Sequence, residues 1–198
     1  MNRRHFLRGS AGLAAASWSA AAFAKTACGP YFPNGVQRCE AGIDSTLAHI
    51  AAQDRSQWCW AASIAMVFGY YGHPVSQQDI VGNTWGSIVN MPAQPGQILA
   101  NLNRPWIDDN GRPFGVMGDV FSANPISAAQ DLAQDMPLII GTLGHAMVLT
   151  SLVYDRAMNG NGAVVAAIVR DPWPGRDRRV LSAQEWYQTN FLARIRVA

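Results

Sequence analysis

Residues 53 to 72 read QDRSQWCWAASIAMVFGYYG, and the spacing of their large apolar side chains sets the first element of the fold. Trp60, Ile64, Val67, Phe68 and Tyr71 recur at three- and four-residue intervals, the period of a buried helix that ends at Gly72. Cys59 then falls on the first turn. Unpaired N–H groups at a helix N-terminus carry partial positive charge, which favours a thiolate over a thiol. Buried, unreactive cysteine is nonetheless the commoner state of the residue, so other residues must show whether Cys59 is a packed hydrophobe or a nucleophile. Trp58 and Trp60, on either side of it, read as walls of a cleft rather than its lid.

Downstream, SQQDIVGNTW predicts a short helix capped by Ser76, PGQILANLN a second, and NPISAAQDLAQDM a third with Asn124 as cap and Pro125 at its first position. Residues 104 to 123, containing DDNGRP, read as loop with a hairpin. After Pro137 the texture becomes strand-like: LIIGTL, HAMVLTSLVY and AVVAAIVR are aliphatic and β-branched runs separated by the turn-rich DRAMNGNG. LSAQEW predicts a short helix capped by Ser182, and FLARIRVA a closing strand. The layout is α+β, a helical N-terminal lobe packed on an antiparallel β C-terminal lobe.

At 198 residues with 49% hydrophobic and 14% charged residues, the chain suits one well-filled domain and does not have the composition of a disordered one. Its beginning differs from the rest. NRRHFLRGS precedes the weakly apolar AGLAAASWSAAAF and the small-x-small site Ala22-Phe23-Ala24. Arg3-Arg4 followed by Phe6-Leu7 resembles a twin-arginine export signal, which makes residues 1–24 a signal peptide and 25–198 the domain, with 25–50 an N-terminal arm. The apolar run is shorter than the roughly 20 residues of a spanning helix, so no membrane association is expected after cleavage. The expected location is periplasmic or secreted.

Cleavage removes Arg3, Arg4 and Arg8, leaving 12 basic against 13 acidic residues, a net charge of −1. Lys25 is the only lysine, and no basic patch points to nucleic acid. In an oxidising compartment disulfides persist. Cys28 and Cys39 flank the turn-rich GPYFPNG, and a bridge between them would stabilise the arm by roughly 2–3 kcal/mol. Cys59 is left over as a free thiol. No CxxC or HExxH spacing occurs, so neither a metal nor another cofactor is expected.

Nucleophilic cysteine chemistry needs a base, a group that orients it, and donors for the oxyanion. The chain has four histidines. His5 leaves with the signal, His49 lies in an ambiguous segment, and His73 follows the glycine that ends the first helix. His145 opens the strand HAMVLTSL. Pairing the strands around 145–153 and 163–171 about a turn near residue 158 sets Asp171 opposite His145, with slippage of two residues either way. Asp155 would stand ten residues along the strand, roughly 33 Å away at about 3.3 Å per residue, and cannot serve. Asp171 opens DPWPG, whose Trp173 would cover the His–Asp contact. Gln53, six positions before Cys59, can bring its amide to the same cleft as the Cys59 backbone N–H; Gln57 is the alternative.

These residues together resemble those of the papain-like cysteine peptidases, particularly compact bacterial secreted and effector enzymes. The resemblance rests on Gln53, Cys59 and Trp60 at a helix start, on His145-Ala146-Met147-Val148 opening an apolar strand, and on Asp171 two residues before Trp173, and it spans about residues 50 to 190. The cysteine-to-histidine interval of 86 is shorter than the roughly 130 of papain-type enzymes, and QWCW replaces the cysteine-rich half of the papain motif. The resemblance implies a papain-like fold and an exported peptidase acting on peptides or proteins through Cys59, His145, Asp171 and Gln53. Transglutaminase-like acyl transfer, a cell-wall amidase and a non-catalytic peptide- or partner-binding module are the alternatives. The oligomeric state is not legible.

Overall fold

A computed structural model of the protein describes residues 26–43, 51–121 and 124–198; the expected signal at 1–24, and His49, lie outside the described residues. Helix α1 spans Cys59–Tyr70, and its residues Trp60 to Phe68 are all buried. No side chain caps its N-terminus. The start is fixed instead by two indoles: Trp58 Nε1 donates to the Val89 carbonyl at 2.8 Å and Trp60 Nε1 to that of Met91 at 3.1 Å. The helices expected downstream are α2 (Gln77–Trp85), α3 (Pro95–Asn101), α4 (Pro125–Ala133) and α5 (Ala183–Tyr187). The caps Ser76, Asn124 and Ser182 each accept from a first-turn N–H, satisfying donors that a helix start leaves unpaired.

The strands are β1 (Thr26–Tyr31), β2 (Val36–Gly42), β3 (Pro105–Ile107), β4 (Pro113–Val120), β5 (Leu138–Thr142), β6 (His145–Ala157), β7 (Gly162–Asp171), β8 (Asp177–Val180) and β9 (Thr189–Val197). They form one antiparallel sheet ordered β1-β2-β6-β5-β9-β4-β3, with β7 on β6 and β8 on β7. The stretch 104–123 does contain a hairpin. Its second strand is also a full member of the sheet, because Phe114 and Val116 alternate inward and β4 pairs with β9.

The expected α+β arrangement holds, with two additions. First, the N-terminal arm is itself a hairpin: Cys28 and Cys39 pair across β1 and β2 and are joined by a disulfide. Strand β2 then runs along β6 from Val36↔Ala157 to Gly42↔Ser151. Second, the sheet is buried on both faces. Helix α1 packs on one face over Ile139, Ala146, Val148, Phe191 and Ala193. Helix α4 packs on the other over Leu138, Ile140, Met147, Leu149 and Leu192. Successive strand residues point to opposite faces, so a sheet covered on both sides needs unbroken apolar runs, which is what LIIGTL and HAMVLTSL are.

Candidate active site

Two chain segments converge on the start of α1. Strands β5 and β6 are joined by the two-residue turn Leu143-Gly144, both at positive φ (51° and 75°), the conformation whose twist suits a tight hairpin. Glycine adopts it freely, whereas the left-handed region costs Leu143 about 1–2 kcal/mol. The turn is braced by Thr142, buried, whose Oγ1 donates to the Glu185 carbonyl at 2.6 Å. His145 therefore emerges at a defined place, beside the half-buried free thiol of Cys59.

Asp171 ends β7, its carboxylate fully buried, with Oδ1 2.6 Å from His145 Nε2. That leaves Nδ1 as the ring nitrogen for Cys59. The register differs from the expected one within the anticipated slippage: Val148 pairs with Arg170, so one further step puts Met147 across from Asp171, and the His–Asp contact is diagonal. Irregularities between Leu149 and Ser151 and between Val153 and Tyr154 shift the pairing along the hairpin. Trp173 donates its N–H to Asp171 Oδ1 at 2.9 Å and stands edge-on to the imidazole, ring centres 6.2 Å apart. Asp155 pairs with Arg38 instead, and His73 is held by Asp108 at 3.1 Å and stacked on Phe114.

Burial pushes the Cys59 thiol up, but the hydrogen bond from His145 and the N–H of Ala146 outweigh it, and the net shift is downward. Burial likewise opposes charge on His145, yet its bonds to Asp171 and Cys59 raise it to about 9. Desolvation would raise Asp171; His145, the Trp173 N–H and Arg179 together hold it well below the usual carboxylate range. The three shifts run in one direction: toward imidazolium beside carboxylate, and toward a more readily ionised thiol.

The chain of contacts extends to two residues that the sequence reading did not single out. Arg179 Nε donates to Asp171 Oδ2 at 2.7 Å, while its two terminal nitrogens grip Glu185 at 2.7 and 3.1 Å. Glu185 is held at about 2, first by Arg179, with burial opposing and Ser182 assisting. Strand β8, which carries Arg179, is only four residues long and sits in the charged run RDRR, with no apolar alternation to mark it. The Ser-x-x-Glu capping box was the visible signal for Glu185, and it names only the helix start.

Gln53 is buried. Its backbone N–H donates to the Pro172 carbonyl at 2.8 Å and its Nε2 to that of Arg55 at 2.9 Å, while Oε1 has no partner. It thus ties the segment before Cys59 to the turn after Asp171. Gln57 is exposed and lines a cleft with Cys59. Trp58 departs from the expected cleft wall: it is fully buried in the core under Arg55, whose guanidinium lies 4.9 Å from the ring centre. The helix needs an anchor where it lacks a cap, and the indole bond to Val89 requires that burial. Trp60 does line a cleft.

Two hollows meet at Cys59 and His145. One, of about 180 Å³, is walled by Trp60, Pro92, Ala93, Ile98 and Phe191. The other, of about 460 Å³, is walled by Gln57, Leu143, Trp173, Arg176, Arg179 and Glu185. Among the described residues no three His, Cys, Asp or Glu side chains converge to hold a metal ion.

Comparison with known proteins places this geometry in context. The sequence pattern of the Peptidase_C39 like family matches residues 45–194. Among solved structures the chain is similar to the peptidase domain of Streptococcus ComA, described as a bifunctional ABC transporter involved in a quorum-sensing pathway. The identity is 17%, the TM-score 0.47, and the match covers 76% of this chain and 98% of that one. No curated protein matches the chain.

Proposed function

The chain belongs to the C39-like peptidase family and is a cysteine peptidase; on that premise we propose that Cys59, His145 and Asp171 are its catalytic triad and that it cleaves peptides or proteins outside the cytoplasm. The observation that carries the reading is the buried Asp171 carboxylate 2.6 Å from His145 Nε2, with the same imidazole lining both hollows together with the Cys59 thiol. A base held in one tautomer and orientation next to a nucleophile at a helix start is what thiol catalysis requires.

In this mechanism the Cys59 sulfur attacks the peptide carbonyl carbon, and the electron pair of the C=O bond moves to oxygen. The Cys59 N–H, in the first helical turn and without an intrahelical acceptor, is one donor to that oxygen. The second N–H of Gln53 Nε2 is the other, since one is committed to Arg55. The tetrahedral species collapses as the C–N bond breaks, the leaving amine takes its proton from His145, and a thioester remains. Water, losing a proton to His145, attacks the thioester; the C–S bond breaks, the acid product leaves, and Cys59 is regenerated.

Export through residues 1–24 is supported by the Arg3-Arg4 pattern and by the Cys28–Cys39 disulfide, a bond that persists in oxidising compartments. An epoxysuccinyl inhibitor tests the triad. Labelling should map to Cys59 and vanish in Cys59→Ser and His145→Ala; undiminished labelling of folded His145→Ala would overturn the assignment.

A further inference from the structure

Glu185 is the one acid lining the larger hollow beside Cys59. Arg179 satisfies both that acid and the buried Asp171 behind it, donating Nε to Asp171 and both terminal nitrogens to Glu185. The remaining Asp171 oxygen is taken by His145 and the Trp173 N–H. Asp177, the next acid along the turn, is bound by Arg170 at 2.7 Å. A second arginine, Arg176, lines the same hollow. Its side chain is 57% exposed, and among the described residues its ion contact is Asp171 Oδ2 at 3.8 Å, an oxygen that Arg179 already holds at 2.7 Å. The donors of its planar guanidinium are left for a ligand that approaches Cys59.

The turn that carries Arg176 is preorganised. The Arg176 N–H donates to the Trp173 carbonyl at 3.0 Å, with Pro174 second and Gly175 third in the turn at φ 82°. Proline and glycine at those places set a type II turn, in which only the third position needs positive φ. Trp173 and Arg176 therefore stand at the two ends of a stiff four-residue turn, the indole 45% exposed and already positioned against His145. One side chain offers a flat apolar face and the other a planar cation suited to carboxylate. The smaller hollow at Cys59 is lined by no arginine or lysine.

We propose that Trp173 and Arg176 form a carboxylate-binding subsite beside the scissile bond, so that the enzyme favours peptides bearing a carboxylate on that side of Cys59. This rests on the reading of Cys59, His145 and Asp171 as the peptidase site. The carboxylate comes either from an Asp or Glu side chain or from the chain terminus of the substrate.

The test measures kcat/KM, at low salt, for a neutral amidated peptide, for amidated versions with Glu moved through the positions flanking the cleaved bond, and for the neutral peptide with a free C-terminus. Wild type should favour the acidic peptide over the neutral one by about fivefold to thirtyfold, the range of one partly exposed charged hydrogen bond. Arg176→Met should bring that ratio near one, and Arg176→Glu should bring it below one, in favour of the neutral peptide. Preference for internal Glu identifies the side chain as ligand; preference confined to the free terminus identifies the chain end. Each ratio is taken within one protein, so partial misfolding or a disturbed Asp171 cancels. A wild-type ratio near one, or one unchanged by both substitutions, overturns the subsite. Alkylation of Cys59 by iodoacetate relative to iodoacetamide gives a substrate-free readout, expected to fall in Arg176→Met. If that ratio falls but no peptide is cleaved, the subsite stands and the triad reading fails; cleavage without charge preference has the opposite meaning.

Discussion

Asp171→Asn removes one charge from the centre of the site while keeping nearly the same shape. The carboxylate is fully buried and accepts from His145 at 2.6 Å, Arg179 at 2.7 Å and the Trp173 N–H at 2.9 Å. The amide retains one acceptor oxygen, but its NH2 either faces the Arg179 donor or loses the bond to His145. A charge-assisted hydrogen bond contributes about 1.5–3 kcal/mol, so the thiolate–imidazolium form should become about tenfold to a hundredfold rarer relative to thiol and neutral imidazole. The direction with pH follows from the pair. His145 is held at about 9, so the imidazolium needed to protonate the leaving amine persists below that pH and is lost above it. Without the carboxylate it should be lost at a pH closer to the ordinary 6.5 of histidine. Cys59, whose depressed pKa owes much to that imidazole, should deprotonate at higher pH. The active window closes from both sides, and the loss should be greatest near pH 8. Profiles of kcat/KM and of iodoacetamide alkylation against pH read both limbs, which belong to the coupled pair rather than to either residue. An alkaline limb that stays near 9 in the variant would refute the claim that Asp171 sustains the imidazolium.

Arg179→Met should lower kcat by about tenfold, because Asp171 loses the donor that fixes its second oxygen, and should move the alkaline limb up, because deleting a cation beside the Asp171–His145 pair favours the imidazolium. Arg179→Lys should recover part of the limb shift, whereas a purely structural role would leave the limb in place and change only the yield of folded protein. Leu143→Gly, relieving the left-handed φ of 51°, should raise stability by about 1 kcal/mol in urea titration; a loss of stability would show that the exposed leucine side chain makes contacts worth more than the strain.

The candidate site residues that sequence brought together share a physical trait. Cys59 was legible because the apolar period of Trp60, Ile64, Val67 and Phe68 marks a helix whose first turn must contain it. His145 and Asp171 were legible because two apolar runs about one turn can pair only within a narrow set of registers, and every member of that set keeps them near each other. Arg179 and Glu185 escaped because neither lies on a periodic run; their meaning comes from a third strand, β8, folding back along β7. The precise diagonal of the His–Asp contact escaped for a similar reason. It depends on irregularities at Leu149/Ser151 and Val153/Tyr154, which no turn count reveals.

Local chemistry therefore settled the helices with their Ser76, Asn124 and Ser182 caps, the strand-rich second half and the candidate nucleophile, since period and capping act over a few neighbouring residues. Tertiary structure decided where the helices go and which charges meet. It put α4 on the face of the sheet opposite α1, drew the N-terminal hairpin along β6, buried Trp58 by bonding its indole to Val89, and satisfied two acids with Arg179 so that Arg176 keeps its donors. Those outcomes depend on contacts between segments far apart in the chain, and the physical choice among them is made only when all compete for the same sheet faces and the same buried carboxylate.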